Sequence, residues 1–199
     1  MAPDKLARAR LARAAQRFKR PGLPALVLLT DDERLNDPLR AARALPRGSL
    51  VIVRARQSTR RAELAAALIG IARQHGLLLL VANDAMLAAR IGADGVHLSE
   101  IRAGKAAHWR ARRPDWLITQ AAHSLGACAR AHCVDAVLLA PIFATASHPG
   151  GKVLGAMRAR MIARQSPLPV YALGGIDAGN VARLEGARFA GVAAISALS

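Results

Sequence analysis

The chain is poor in aromatic residues, which make up 3% of its 199 residues. Proteins that bind single-stranded nucleic acid stack the bases on aromatic side chains. The aromatic residues of this chain form no such platform motif; they are Phe18, Trp109, Trp116, Phe143, Tyr171 and Phe189. Nucleic acid is therefore a disfavoured partner.

Cysteines and long apolar runs are also scarce. Cys128 and Cys133 have no partners at zinc-finger spacing, so we expect buried or idle thiols in a reducing compartment. No apolar run reaches the roughly 20 residues of a membrane span, and the basic segment 1–20 lacks the continuous apolar core of a secretory signal. These absences predict a cytoplasmic protein without membrane contact.

Lysine is rare as well, because only four of the 29 basic residues are lysines, yet the formal net charge is +16. A charge of this size attracts anions such as phosphate esters. A compositional bias toward Arg and Ala is the competing explanation for most of it. Hydrophobic residues make up 53% of the chain, which excludes disorder and suffices for a buried core.

Short apolar runs recur along the chain, separated by segments rich in helix-forming Ala, Leu, Arg and Glu. The runs occupy residues 23–31, 49–56, 77–83, 95–99, 116–122, 136–142, 169–175 and 191–197. Nearly continuous apolar strands are typical of parallel sheets that are buried on both faces. Strand and helix in alternation predict a single-domain (β/α)₈ TIM barrel over residues 1–199. An open doubly wound sheet is the alternative, although no G-x-G-x-x-G follows the first strand.

The two ends of the chain differ from a complete barrel. Residues 1–19 have the apolar spacing of a helix that precedes the first strand, and the chain stops directly after the eighth strand. We expect this N-terminal helix to replace the helix that the shortened C-terminus lacks.

Polar residues gather where each predicted strand ends, which is where barrels of this class bind ligands. They lie at positions 30–32, 54–56, 83–84, 97–100, 120–123, 145–148, 174–176 and 195–196. Arg54 and Arg56 are one residue apart at a strand end, so period-two geometry predicts that both point the same way. Because guanidinium forks match phosphate oxygens, the pair predicts a phosphate site.

Asn83 and Asp84 follow the third strand and allow two interpretations. The carboxylate of Asp84 suits Mg²⁺, which prefers carboxylates together with substrate phosphate oxygens. Asp is equally suited to cap the N-terminus of the following helix. The local pattern favours neither.

The last two loops predict a second phosphate site. Gly174 and Gly175 allow close approach of the backbone to an anion, Ile195 and Ser196 follow the neighbouring strand, and Asp177 is a candidate cap. The Gly/Pro-rich loop 141–152 is a candidate lid. It carries hydroxyls at Thr145 and Ser147 that can donate to phosphate oxygens; an ordinary surface loop is its alternative.

The chain resembles thiamin-phosphate synthase and its relatives, the TenI-type thiazole tautomerases, from about Leu26 to the C-terminus. The resemblance is carried by VLLTD, VIVRAR, VANDAMLAARIGADGVHLSE, VLLAPIFATASHPGG, VYALGGIDAGNV and GVAAISAL in the same order and spacing. It implies that a pyrimidine diphosphate loses pyrophosphate with the help of Mg²⁺, and that the nitrogen of a thiazole phosphate captures the resulting carbocation.

The resemblance also implies a role for each matching residue. Arg54 and Arg56 would hold the pyrophosphate, Asn83 would assist and Asp84 would bind Mg²⁺. His123 is retained as a candidate catalytic residue. The thiazole phosphate would lie against the loops after strands six, seven and eight, at Thr145, Ser147, His148, Gly174, Gly175, Ile195 and Ser196.

Several positions depart from the family pattern. The glutamine and lysine of Q-x-R-x-K are Ile52 and Arg56 in this chain. The second Mg²⁺ aspartate is Arg102, the serine of G-x-S-x-H is Ala121, and the lysine of T-x-T-K is His148. The departures concentrate at the diphosphate end of the expected site.

Three functions stay open at this point. The first is a divergent thiamin-phosphate synthase, a transferase. The second is a tautomerase, although Pro141 stands where tautomerases carry their catalytic histidine, so that His123 or His148 would have to act as general acid and base. The third is a non-catalytic protein that binds thiazole phosphate or thiamin phosphate. All three have phosphorylated small molecules as partners, and a homo-oligomer is compatible with each.

Overall fold

The computed structural model of the protein describes residues 5–18, 20–145 and 152–199. Eight parallel strands follow one another around a closed barrel, and β8 pairs with β1 through Leu26 and Val192. The strands are β1 (Leu26–Leu29), β2 (Leu50–Val53), β3 (Leu78–Ala82), β4 (Gly95–Leu98), β5 (Leu117–Ala122), β6 (Ala136–Leu139), β7 (Val170–Leu173) and β8 (Phe189–Ala194). The prediction of a (β/α)₈ barrel is confirmed.

Helices cover the outside of the barrel and give the apolar strands a second buried face. They are α1 (Lys5–Ala15), α2 (Pro38–Arg43), α3 (Ser58–His75), α4 (Ala85–Ile91), α5 (Ala106–Arg112), α6 (Leu125–Arg130) and α7 (Gly155–Gln165). All four residues of β1, of β2 and of β6 are buried. The continuous apolar character of the strands therefore has its cause in burial on both faces.

The helices begin and end at residues suited to those positions. The side chains of Asp37, Asp84 and Ser124 each accept a hydrogen bond from a backbone N–H in the first turn of α2, α4 and α6. Gly76 and Gly92 end α3 and α4 in the left-handed conformation. Single 3-10 turns (residues 100–105, 181–184 and 196–198) follow β4, β7 and β8.

Several predicted strands extend beyond the strands of the structure. The run 49–56 forms strand only over Leu50–Val53, so Arg54 and Arg56 lie in the loop after β2. The predicted N-terminal helix is shorter than 1–19, because α1 ends at Ala15 and a 3-10 turn follows.

Helix α1 packs against the 3-10 turns that follow β7 and β8, and the 3-10 turn after α1 (residues 16–18) packs against β8. Leu11 is fully buried, and the ring of Phe18 meets that of Phe189 edge-on at 6.4 Å between centroids. Arg8 Nη1 donates to the backbone oxygen of Ser199 at 3.4 Å. The two ends of the described chain thus close the same side of the barrel.

Truncating Leu11 to alanine is expected to lower the free energy of unfolding by about 2–5 kcal/mol, because it leaves a cavity under α1. Leu6→Ala on the same helix is the matched control, since Leu6 is 55% exposed and its loss is expected to cost below about 1 kcal/mol. Urea denaturation of both variants measures the difference. Equal losses would mean that α1 does not carry the packing described above.

The cysteines are both free: Cys128 is buried and Cys133 is exposed. Burial, with a smaller contribution from the charge of Glu100, raises the pKa of Cys128 to about 11, so this thiol stays protonated. In the described part of the chain, no helix has both the length and the apolar character needed to cross a membrane.

Candidate active site

The loops that follow the parallel strands meet at one end of the barrel, which we call the mouth. There Thr30 fixes the backbone of Arg54 on both sides. Its hydroxyl accepts from Arg54 N and donates to Arg54 O, each at 2.8 Å. The first residue after β2 is thereby tied to the first residue after β1. This fixes the backbone from which the guanidinium of Arg54 extends.

Asp31 holds two guanidinium groups at the mouth. Its Oδ2 accepts from Arg54 Nη1 at 2.6 Å and from Arg34 Nη2 at 2.8 Å. Partial burial works against ionisation of Asp31, but the hydrogen bond and charge of Arg34, the backbone N–H of Glu33 and the charge of Arg54 outweigh it. Together they keep the pKa of Asp31 well below its usual range, so this carboxylate is charged at neutral pH.

Arg56 is turned toward the same loop after β1. Its backbone N–H donates to Asp32 Oδ2 at 2.9 Å, and its Nη1 pairs with Glu33 Oε1 at 2.8 Å. Both arginines lie beyond the end of β2, where the strand periodicity behind their predicted common direction does not apply. What they share is that each pairs with an acid of the loop after β1.

A cavity of about 510 Å³ opens beside this loop. Its lining includes Asp32, Glu33, Arg56, Gln57 and Arg60. Of the two arginines, Arg56 lines this cavity, beside the carboxylates of Asp32 and Glu33.

Asn83 joins the ends of β3 and β4. Its backbone N–H donates to His97 O at 2.8 Å, and its Oδ1 accepts from Ser99 N at 2.8 Å. Its backbone oxygen accepts from Arg102 Nη1 at 3.3 Å. Asn83 adopts φ 59°, a conformation that Asn tolerates better than most residues. Its side chain is thus engaged in shaping the mouth.

Asp84 is the N-cap of α4, which confirms the interpretation of this residue as a helix cap. Its Oδ1 accepts from Leu87 N at 3.0 Å, and its Oδ2 faces Arg61 Nη2 at 3.4 Å. Arg61 Nη1 also donates to Ala55 O at 3.2 Å, so Arg61 joins the loop after β2 to Asp84. The Nε of Arg61 is buried and has no partner among the described residues.

The donor set around Asp84 does not fit Mg²⁺. Both oxygens of this carboxylate are engaged, and Arg102 stands where the family resemblance would put a second carboxylate. Within residues 5–18, 20–145 and 152–199, no cluster of three acidic, His or Cys side chains could hold a metal ion. Mg²⁺ is usually held by one or two carboxylates together with waters and substrate phosphates. A divalent cation at Asp84 would lie beside the guanidinium of Arg61, which repels it. The Mg²⁺ role of Asp84 stays an untested prediction.

His97 and Thr119 form a buried polar pair on adjacent strands, with His97 Nδ1 2.9 Å from Thr119 Oγ1. Burial, aided by the charge of Arg54, lowers the pKa of His97 to about 4, so the imidazole is neutral at pH 7. Gln120 lies on the opposite face of β5 from Thr119, and its buried Oε1 has no partner among the described residues.

His123 is paired with Glu100 across the loops after β4 and β5. The distance from His123 Nδ1 to Glu100 Oε2 is 2.8 Å, and 59% of the His123 side chain is exposed. A carboxylate on Nδ1 fixes the tautomer and leaves Nε2 as the nitrogen that can exchange a proton with a ligand. This pair is the best-formed acid–base group among the described residues of the mouth.

The loops after β7 and β8 lie side by side because these strands pair. Gly175 has φ 64°, and a Cβ there would lie 2.5 Å from Ala144 O, so the turn packs directly on the loop after β6. Phe143 N donates to Gly174 O at 2.9 Å. Asp177 Oδ1 accepts from Asn180 N at 3.0 Å in the turn before the 3-10 helix 181–184. The N-cap of that 3-10 helix is Asn180, so the prediction that Asp177 caps it is wrong.

The remaining predicted residues of this second anion site lie at its edge. Ile195 is buried, Ser196 is exposed, and Thr145 is partly buried. Ser147 and His148 lie outside the described residues, as does half of the predicted lid 141–152. Their predicted roles are untested.

Two arginines that contribute to the mouth escaped sequence analysis. Arg34 and Arg61 follow no predicted strand directly, so position in the sequence did not distinguish them from the other basic residues. A usable signal lay in Asp31, Asp32 and Glu33, because three consecutive acids are conspicuous in a chain with 13 acidic residues and a net charge of +16.

Acid is expected to destabilise the fold through His97. Because the unfolded imidazole takes up a proton near pH 6.5 and the folded one only near pH 4, the unfolded state binds more protons between these values. Above pH 6.5 the imidazole is neutral in both states and the free energy of unfolding is unaffected by it. As the pH falls from 6.5 to 4, the free energy of unfolding is expected to fall by about 3 kcal/mol. Asp31 acts below this window, since its stabilising charge is lost only under its ordinary pKa of 3.8.

Urea denaturation from pH 7 to pH 4 measures this loss. The variant His97→Asn is expected to show a much flatter dependence over the same range. An unchanged slope in that variant would assign the acid sensitivity to other groups.

Comparison with known proteins adds three matches to this geometry. A family model described as thiamine monophosphate synthase matches residues 26–198. A thiamine-phosphate synthase of Chlorobium luteolum is 31% identical over 186 residues, covering 90% of this chain and 87% of that protein. A bifunctional ThiM/ThiE protein of thiamine biosynthesis from Symbiobacterium thermophilum is 37% identical over 139 residues, covering 68% of this chain and 29% of that protein.

The chain spans less than two thirds of the length of several other relatives that it matches, 59–65% of each. Among solved structures, a thiamine phosphate pyrophosphorylase from Pyrococcus furiosus superposes with a TM-score of 0.69 at 21% identity, covering 92% of this chain and 87% of that one. This structural likeness supports the barrel fold.

Proposed function

Since the chain belongs to the thiamine monophosphate synthase family, we propose that it joins hydroxymethylpyrimidine diphosphate to a thiazole phosphate and releases pyrophosphate. This reaction makes it a transferase, like the thiamine-phosphate synthases to which it is similar. The bond from the pyrimidine-bearing carbon to the diphosphate oxygen breaks, the diphosphate keeps the electron pair, and the thiazole nitrogen forms the new bond to carbon.

The observation that carries the proposal is the cluster of guanidinium groups at the ends of β1 to β4. A leaving diphosphate develops negative charge as the bond breaks, and fixed cationic donors stabilise that charge most when they are already in place. Arg54 is in place before any ligand arrives, because Thr30 and Asp31 hold its backbone and its guanidinium.

The second substrate would lie next to the first. Because β8 pairs with β1, the loops after β7 and β8 adjoin the arginine loops around the mouth. The Gly174–Gly175 turn and Ser196 are then suited to the phosphate of the thiazole, as the resemblance implies. A cytoplasmic location and a homo-oligomeric assembly stay predictions.

Pyrophosphate release with both organic substrates is the direct test. Release is expected only when the pyrimidine diphosphate and the thiazole phosphate are both present. A folded protein that binds thiazole phosphate but releases no pyrophosphate, with or without Mg²⁺, would refute the synthase proposal.

A tautomerase is the second candidate, and the pair of His123 and Glu100 favours it. An exposed imidazole with a fixed tautomer can add and remove protons on a thiazole phosphate. If this candidate applies, a thiazole phosphate tautomer is converted without any pyrimidine substrate, and His123→Gln abolishes the conversion. If neither reaction occurs and thiazole phosphate still binds, the protein is a binding protein.

A further inference from the structure

We propose that guanidinium groups, chiefly those of Arg61 and Arg102, take the place of a divalent cation at the diphosphate end of the mouth. The ligand is a diphosphate, and its identity as a substrate group rests on the proposed function. The inference starts from the ends of β2, β3 and β4, where the donor set does not fit Mg²⁺.

Arg102 brings a positive charge to the backbone next to Asp84. It lies in the 3-10 turn after β4, and its Nη1 reaches the carbonyl oxygen of Asn83 at 3.3 Å. The side chain is therefore anchored at the mouth although the residue is exposed. This described contact uses one of the five N–H donors of a guanidinium, which leaves others for oxygens of a ligand.

Arg61 brings a second charge to the same place from α3. Its guanidinium joins Ala55 O, between Arg54 and Arg56, to the carboxylate of Asp84. Its side chain is 16% exposed, so this position is set by packing.

Three carboxylates of the mouth are already paired with arginine. Asp31 is paired with Arg54, Glu33 with Arg56 and Asp84 with Arg61. A divalent cation at Asp84 would have to displace Arg61 and lie beside Arg102, and like charges at such short range repel strongly. A diphosphate meets no such conflict, because its oxygens accept from both side chains.

Titration calorimetry with inorganic pyrophosphate on the full chain tests the inference without turnover. Binding is expected in EDTA, at an affinity no weaker than in excess Mg²⁺. The variant Arg102→Ala is expected to bind roughly tenfold more weakly in EDTA, the effect of losing one charge-assisted contact. Arg112→Ala, at the C-terminal end of α5, is the matched control and is expected to bind like the parent.

The variant Arg102→Asp replaces the positive charge at this position by a negative one. It supplies a carboxylate at the position of the missing one, so pyrophosphate binding is expected to become weak in EDTA and to recover with Mg²⁺. Circular dichroism checks that each variant is folded. Binding by the parent only when Mg²⁺ is present, or unchanged binding by Arg102→Ala in EDTA, would overturn the inference.

Failure of the inference differs from failure of the proposed function. Turnover that strictly requires Mg²⁺ would refute the guanidinium role and leave the synthase proposal standing. If pyrophosphate binds without metal and the binding depends on Arg102, but the protein shows no turnover, the guanidinium role stands and the synthase proposal is refuted.

Discussion

Replacing Arg54 by alanine is expected to lower kcat/KM for pyrophosphate release by about 10²–10³-fold, the usual effect of losing one fixed donor to developing negative charge. Arg54 is held at the mouth by Thr30 at its backbone and by Asp31 at its side chain. Arg54→Lys is expected to recover only part of the loss, because an ammonium group cannot form two parallel hydrogen bonds to a phosphate.

Two controls accompany this prediction: the free energy of unfolding of the Arg54→Ala variant, and the turnover of a variant at Arg112, away from the mouth. Arg34 keeps its own ion pair with Asp31 in the Arg54 variant, so the free energy of unfolding is expected to fall by about 1 kcal/mol at most. Arg112→Ala is expected to leave turnover unchanged. Turnover within a factor of two or so of the parent in folded Arg54→Ala would remove this residue from the reaction.

Replacing Gly95 by alanine is expected to cost most of the stability of the barrel, about 4 kcal/mol or more. A Cβ at this position would lie 2.0 Å from Leu117 O and 2.8 Å from Leu117 C. These are backbone atoms of the adjacent strand, so β4 and β5 would have to separate. Urea denaturation or the yield of folded protein measures the effect.

Gly70→Ala is the matched control for this substitution. Gly70 lies within α3, and a Cβ there meets no atom within 4 Å. Alanine is the better helix former, so the control is expected to raise the free energy of unfolding by about 0.5–1 kcal/mol. If both variants were equally stable, the close packing of β4 on β5 would not be real.

The barrel could be predicted from the sequence because a strand buried on both faces must be apolar throughout. Each of the eight runs was found, and each became a strand. Strand ends were less predictable, because Arg54 and Arg56 continue the alternation of β2 in the sequence although β2 ends at Val53. Their ion pairs with Asp31 and Glu33 join two separate loops, and such contacts leave no mark on local periodicity.

The arginine contacts of the mouth were predictable only in part. A strand-end rule identifies Arg54, since the rule follows from parallel topology. Arg61 enters the mouth from the first turn of α3, and its role depends on how that helix packs. For Asp84 the sequence left a cap and a metal ligand open, and the hydrogen bond to Leu87 N establishes the cap.

The packing of α1 on the C-terminal turn has a consequence for how the molecule forms. Phe18 meets Phe189, and Arg8 meets Ser199, a pair 191 positions apart in sequence. Contacts of such sequence separation form late, since nearly the whole chain must be ordered before they repay the entropy of closing so long a loop. Leu11 of α1 is fully buried, and α1 contacts the turns that follow β7 and β8, so its partner surface exists only once these distant segments have folded. The docking of α1 is therefore expected to be among the last steps of folding.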